Sequence, residues 1–227
     1  MKKRIFIAIN LPEDIKNKLV ARREEWADLP VRFTKKNSLH LTIIFIGYVA
    51  DDEMFDICRK VKEIARAYQS FSLNFSRICL GPPARIATPA RHADLPEMQS
   101  LQAGASHAGW QSVAGGPGKA PRLIWLEGER NEPLFHLTQI LEAAIFPGGF
   151  DSGDSPGAGG GGKEFMPHIT LARIRQMDWG NLPQKPVINQ QFSVEVKVES
   201  IEVMESNLQR GGDEYAVLES AELGRQG

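Results

Sequence analysis

Two short segments carry the residue types that could do chemistry: His40-Leu-Thr42-Ile and His168-Ile-Thr170-Leu. Each is a His-x-Thr set among aliphatic residues. With five histidines and five threonines in 227 residues, chance gives ~0.1 such pairs; three occur, the third being His136-Leu-Thr138. In a strand, residues i and i+2 project from one face, so His40 with Thr42 and His168 with Thr170 would each present an imidazole beside a hydroxyl. On a helix those positions point about 200° apart, and His136 lies in an amphipathic helical pattern, which sets the third pair aside. Two imidazoles titrating near neutrality can act as general base and general acid in opening a phosphodiester, while hydroxyls hold its non-bridging oxygens. That scheme requires no metal or other cofactor. Neither motif has a second His, Cys or carboxylate at ligand spacing, so no metal site is expected.

The elements that must position these residues alternate along the chain. Residues 4–10 read as a strand, and Pro12 opens a helical segment with Ile15, Leu19, Val20 and Trp26 on one side. Residues 31–34 form a short strand candidate and residues 39–48 a stronger one, with a buried-type run ending at Gly47. Residues 51–69 are the clearest helix, with Asp51 and Asp52 able to cap its start and Met54, Cys58, Val61, Ala65 and Tyr68 as its apolar stripe. Strands are expected at 71–80, 122–127, 166–174, 192–204 and 215–219, with a helix at 133–146. Two comparable halves, each with a helix and an apolar strand near a histidine, suggest an α+β protein of two similar lobes. No GxGxxG follows the first strand, which disfavours a doubly wound dinucleotide fold.

Composition bounds the rest. The chain is long enough for one sizeable core, and its 27 Lys+Arg nearly balance 28 Asp+Glu, which argues against a broadly polycationic nucleic-acid binder. Residues 1–50 nevertheless hold ten Lys/Arg against five Asp/Glu, and residues 176–227 hold four against nine, so the basic part is at the front. Thirteen of the 21 glycines fall in residues 82–121 and 147–162; both are read as loop insertions, with a short helix conceivable at 95–102. His92 and His107 fall in the first insertion and are read as structural or solvent-exposed. Without the two insertions about 171 residues remain, one domain's worth, so residues 1–227 are read as a single domain. Cys58 and Cys79 form no CxxC, which fits a reducing compartment. No apolar stretch approaches the ~20 residues of a membrane helix, so a cytoplasmic location and no membrane partner are expected.

The motifs and their surroundings resemble the 2H phosphoesterases, and within them the RNA 2',3'-cyclic phosphodiesterases also called 2'-5' RNA ligases. The resemblance lies in RIFIAINLPE (residues 4–13), NSLHLTIIFIG (37–47), RLIWL (122–126), FMPHITLAR (165–173), and ESNL (205–208) before GGDEY (211–215). It covers nearly everything outside the two glycine-rich stretches. It implies an α+β, bilobal fold in which two pseudo-twofold-related lobes with antiparallel sheets line a central cleft, with helices outside. It also implies an enzyme acting on RNA ends or cyclic nucleotides, in which water opens a terminal 2',3'-cyclic phosphate to a 2'-phosphate; a monomer is expected. In that scheme His168 activates the water, His40 protonates the departing 3' oxygen, Thr42 and Thr170 bind phosphate oxygens, Arg173 offsets negative charge and Phe45 stacks on a base. Ligation of cyclic-phosphate and 5'-hydroxyl ends is the alternative reaction, and a non-catalytic RNA- or nucleotide-binding module the alternative class.

One geometric demand follows. Arg173 and Phe45 stand five positions past their histidines, so an unbroken strand would point them away from the imidazole. They need a bulge, a twist or a strand end to reach the cleft. Lys35, Lys36 and Arg175 could add positive field nearby, with solvated surface charge as the plainer reading. The two insertions depart from the family's usual shorter loops and could cover or extend an RNA path at the cleft mouth.

Overall fold

A computed structural model describes residues 2–81, 121–148, 166–209 and 212–224. Residues 82–120 and 149–162 of the two glycine-rich stretches, with His92, His107 and the conceivable helix at 95–102, lie outside the described residues. The elements run β1 (Lys3–Asn10), α1 (Glu13–Ala21), β2 (Val31–Phe33), β3 (His40–Val49), α2 (Asp51–Ala67), β4 (Phe71–Gly81), β5 (Leu123–Gly128), α3 (Glu132–Ile145), β6 (His168–Ile174), α4 (Gln176–Gly180), β7 (Asn189–Val198), β8 (Ser200–Gln209) and β9 (Gly212–Glu222). The strands join one antiparallel sheet in the order β7-β4-β5-β6-β3-β1-β8-β9, with β2 added to β6.

That order is symmetric about the β6–β3 contact. β1 and β5 flank the two motif strands, and each is followed by a helix that leads to its motif strand. The two motif strands pair at one position, Leu41 with Ile169, and β2, from the first half of the chain, pairs with β6 from Val31↔Ile174 to Phe33↔Ala172, so the two sheets expected for the lobes are one sheet pinched between β3 and β6. Alternation along the strands separates its faces. Ile5, Ile7 and Ile9 of β1, Leu41, Ile43 and Ile44 of β3, and Ile169, Leu171 and Ala172 of β6 enter one core with Met54, Ile57, Val61 and Ala65 of α2 and Leu134, Leu137 and Leu141 of α3. Phe6 and Ala8 turn to the other face, where they meet Met204, Phe45 and Tyr215.

Helix ends depart from expectation at α1, where the helical pattern read as far as Trp26 gives way after Ala21 to a 3-10 turn over Arg22–Trp26, and at α2. Asp51 and Asp52 lie inside the first turn of α2, and the N-cap is Ala50, whose N–H donates to the Glu53 carboxylate at 2.8 Å. At α3 the cap is side-chain based: Asn131 accepts the Leu134 N–H at 2.9 Å and donates to the Ser72 carbonyl at 2.9 Å, fixing the helix to β4. The segment read as one strand at 192–204 is two, because the chain turns at Glu199 between β7 and β8. The short helix α4, which buries Trp179, had no periodic signal in five residues.

Candidate active site

β3 and β6 bring the two motifs together. Around the Leu41–Ile169 pairing, the antiparallel register sets His40 across from Thr170 and Thr42 across from His168. All four line one cleft, along with Phe45 and Arg173.

The last two arrive there through a pair of matching bulges. The β1–β3 ladder passes from Ile7↔Ile44 to Ala8↔Thr42 and skips Ile43. The β5–β6 ladder passes from Ile124↔Ala172 to Trp125↔Thr170 and skips Leu171. Two successive residues in each strand are therefore buried, Ile43 with Ile44 and Leu171 with Ala172, and the alternation resets so that Phe45 and Arg173 rejoin the imidazole face. A further shift skips Ile46, where Gly47 takes φ +95°, a conformation glycine adopts without a Cβ clash.

Both imidazoles are held alike. Nδ1 of His40 lies 2.9 Å from the Ser38 carbonyl, and Nδ1 of His168 lies 3.0 Å from the Met166 carbonyl. A carbonyl only accepts, so each Nδ1 carries the hydrogen and each Nε2 is the nitrogen left with a lone pair. His40 Nε2 is 3.0 Å from Thr42 Oγ1, whose hydroxyl donates to the neutral ring. Phe6 and the edge of Tyr215 pack on His40, each with ring centres 5.0 Å away. Burial is the main cause that pushes the His40 pKa down to about 4; the Ser38 carbonyl opposes it, while His168, Lys16 and Arg173 act in the same direction as burial. Burial also lowers the His168 pKa, against the Met166 carbonyl and the Glu127 carboxylate.

The wall behind His168 is a packed series on one sheet face. Trp125 lies against the imidazole with ring centres 4.4 Å apart. Its indole N–H donates to Cys79 Sγ at 3.1 Å, and the thiol donates to Glu127 at 3.2 Å. Arg77 pairs with the other Glu127 oxygen at 2.9 Å. Burial, helped by Glu127, pushes the Cys79 thiol up to about 12, so it stays a neutral hydrogen-bonding group. The indole also covers Gly81, where an added Cβ would fall 2.3 Å from the ring. Cys58 and Cys79 are both free thiols.

Phe45 stacks on Phe6 at 5.5 Å, and the Arg4 guanidinium stands over its ring at 4.8 Å. Lys35 lines the cleft and pairs with Glu214 at 2.6 Å. Lys36 pairs with Glu13 at 2.8 Å, and Arg175 sits at the start of α4, outside the cleft wall. His136 lies on α3 beside the Tyr68 hydroxyl, 3.4 Å away, and does not join the site. Sequence reasoning missed Arg4, Arg32, Trp125, Glu127 and Tyr215. For Arg32 the alternation in Val31-Arg32-Phe33 was a usable signal; the register that brings Trp125 and Glu127 beside His168 depends on the bulge. Among the described residues no group of three His, Cys, Asp or Glu is placed to hold a metal ion, and no helix is long and apolar enough to cross a membrane.

A family model described as LigT like Phosphoesterase matches residues 9–88. Two archaeal proteins named RNA 2',3'-cyclic phosphodiesterase are similar over most of their length. That of Methanocaldococcus jannaschii is 20% identical over 175 residues, and that of Methanothermobacter thermautotrophicus 22% over 178, each alignment spanning 77% of this chain and 73% of the relative. Among solved structures, the Thermus thermophilus protein TT0787 superposes with a TM-score of 0.69 at 23% identity, covering 99% of this chain and 100% of that one. E. coli LigT complexed with 3'-AMP superposes with a TM-score of 0.65 at 20% identity, covering 98% and 99%. The family resemblance and the fold read from the sequence are both borne out.

Proposed function

We propose that this LigT-like phosphoesterase of the 2H type is an RNA 2',3'-cyclic phosphodiesterase that hydrolyses a terminal cyclic phosphate to a 2'-phosphate by two-histidine acid/base catalysis. The observation that carries the reading is the register at Leu41–Ile169, which sets two imidazoles and two hydroxyls against one another across a single cleft, each imidazole presenting Nε2. The names of the two archaeal relatives support the substrate class.

In the proposed reaction the cyclic diester sits between the motifs, its non-bridging oxygens on the Thr42 and Thr170 hydroxyls and near Arg173. His168, neutral at pH 7 because burial lowers its pKa, takes a proton from water as the oxygen attacks phosphorus. The P–O3' bond breaks, and His40 delivers its Nε2 proton to O3'. With the cleft empty His40 takes its second proton, on Nε2, only at about pH 4 and below. The anionic diester beside Nε2 pulls that value up, so substrate binding itself charges the acid. Phe45, already between Phe6 and Arg4, would offer a base only its uncovered surface or an exchange with Arg4.

Product regiochemistry tests the reading. An oligoribonucleotide ending in a 2',3'-cyclic phosphate, incubated with the protein in EDTA, should yield a 2'-phosphate identified by phosphorus NMR. Recovery of the unchanged cyclic end, or of the 3'-phosphate alone, would overturn it.

A further inference from the structure

The cleft is charged beyond what one cyclic phosphate needs. Its wall includes Arg4, Arg32, Lys35 and Arg173, and no carboxylate lines it among the described residues, although the whole chain carries a net charge of -1. Lys35 has Glu214 as its partner, and Arg4 rests over the Phe45 ring. Arg32 differs from both. Among the described residues its guanidinium makes no ion pair or hydrogen bond.

Its placement adds a second, independent observation. β2 pairs with β6 so that Arg32 stands directly opposite Arg173. Side chains opposite one another on a ladder share a face and stand about 5 Å apart at Cβ, and like charges so placed repel. Such a pair is favourable when an anion lies between or beside the two guanidiniums. Arg173 lines the cleft from the motif strand β6 itself, whereas Arg32 is one strand away, on β2.

We propose that Arg32 forms a second phosphate subsite, which takes the internucleotide phosphate preceding the cyclic end. This inference rests on the reading of the cleft as a cyclic phosphodiesterase site and narrows its substrate class to oligoribonucleotides over mononucleoside cyclic phosphates. Arg32 acts on specificity: it touches a phosphate that does not react, through a charge-assisted contact that a mononucleotide cannot make.

The test compares three substrates with wild type and Arg32→Gln: adenosine 2',3'-cyclic phosphate, a diadenosine ending in 2',3'-cyclic phosphate, and the same dinucleotide with an uncharged methylphosphonate linkage. Wild type should favour the charged dinucleotide in kcat/KM by about tenfold over the other two, the size expected of one charge-assisted hydrogen bond. Arg32→Gln should erase that preference while changing the mononucleotide and methylphosphonate rates less than about twofold. The salt dependence of kcat/KM on the charged dinucleotide should also lose about 0.7 of its log-log slope, the single-strand value per phosphate contact. Equal loss on all three substrates would place Arg32 at the reacting phosphate and overturn the proposal, as would no loss on any. If wild type hydrolyses none of them, the underlying reading fails by itself. Calorimetric binding of adenosine 3'-phosphate against diadenosine 3'-phosphate then decides the subsite: a dinucleotide advantage that Arg32→Gln removes supports it, and equal affinities overturn it.

Discussion

Acid should destabilise this protein measurably through one imidazole. Folding holds the His40 pKa at about 4, against 6.5 for an ordinary histidine. Between those values the unfolded chain binds a proton that the folded one refuses, so the group costs no stability above pH 6.5 and a growing amount as pH falls to 4. At about 1.4 kcal/mol per pKa unit, the full gap corresponds to about 3 kcal/mol, and the ring's residual contact with solvent brings the expectation nearer 2 kcal/mol. The perturbation is His40→Asn, which removes the titrating group and keeps a side chain able to bond the Ser38 carbonyl. Urea unfolding of wild type and variant at pH 7 and pH 4.5 reads the effect. The variant will start less stable, having lost ring packing on Phe6 and Tyr215, but between the two pH values wild type should lose about 2 kcal/mol more than the variant loses. A proton NMR titration should place the His40 ring near pH 4 in the free protein and higher with a bound nucleotide phosphate. Equal pH dependence in the two proteins, or a free-state midpoint near 6.5, would refute the account of His40 as a desolvated acid charged by its substrate.

Three further outcomes follow from the cleft walls. Gly81→Ala puts a Cβ 2.3 Å from the Trp125 ring, so the indole must move by about an ångström against His168; kcat should fall about 10- to 100-fold with KM within about threefold and circular dichroism unchanged, and an unaltered kcat would show that Trp125 does not position the imidazole. Arg173→Gln should lower kcat/KM about tenfold or more through loss of a charge-assisted contact, as read by steady-state kinetics. Glu214→Gln breaks an exposed pair with Lys35, so stability should change by less than about 1 kcal/mol. The same change should lower KM several-fold at low salt, an advantage that should vanish at high salt if the freed lysine adds field.

The sequence was most legible where periodicity and chemistry coincided. The apolar alternation of β1, the amphipathic run of α2 and the two His-x-Thr strands each announced both an element and its buried side. Its limits lay in long-range register. That Phe45 and Arg173 needed a bulge followed from counting residues, yet the sites of the slips, Ile43 and Leu171, are set by which isoleucine or leucine the neighbouring strands β1 and β5 leave unpaired. The pinch at Leu41–Ile169 depends on both halves meeting, which no local pattern encodes. Trp125 and Glu127 read as ordinary strand residues until β5 was set beside β6. Glu199 has no glycine or proline to mark the turn between β7 and β8, so two strands read as one. The capping of α2 by way of Glu53 shows the same limit in small: an acidic run fits several caps, and only the backbone path picks one.

Whether His40 and His168 together carry out the chemistry is read from single-turnover hydrolysis of a cyclic-phosphate-terminated oligoribonucleotide in EDTA, with wild type, His40→Ala and His168→Ala measured side by side on folded protein. The account predicts a hundredfold or greater loss in each variant, the scale of general acid–base catalysis at about 10² to 10⁴, with substrate still bound. Full activity in either variant would contradict it.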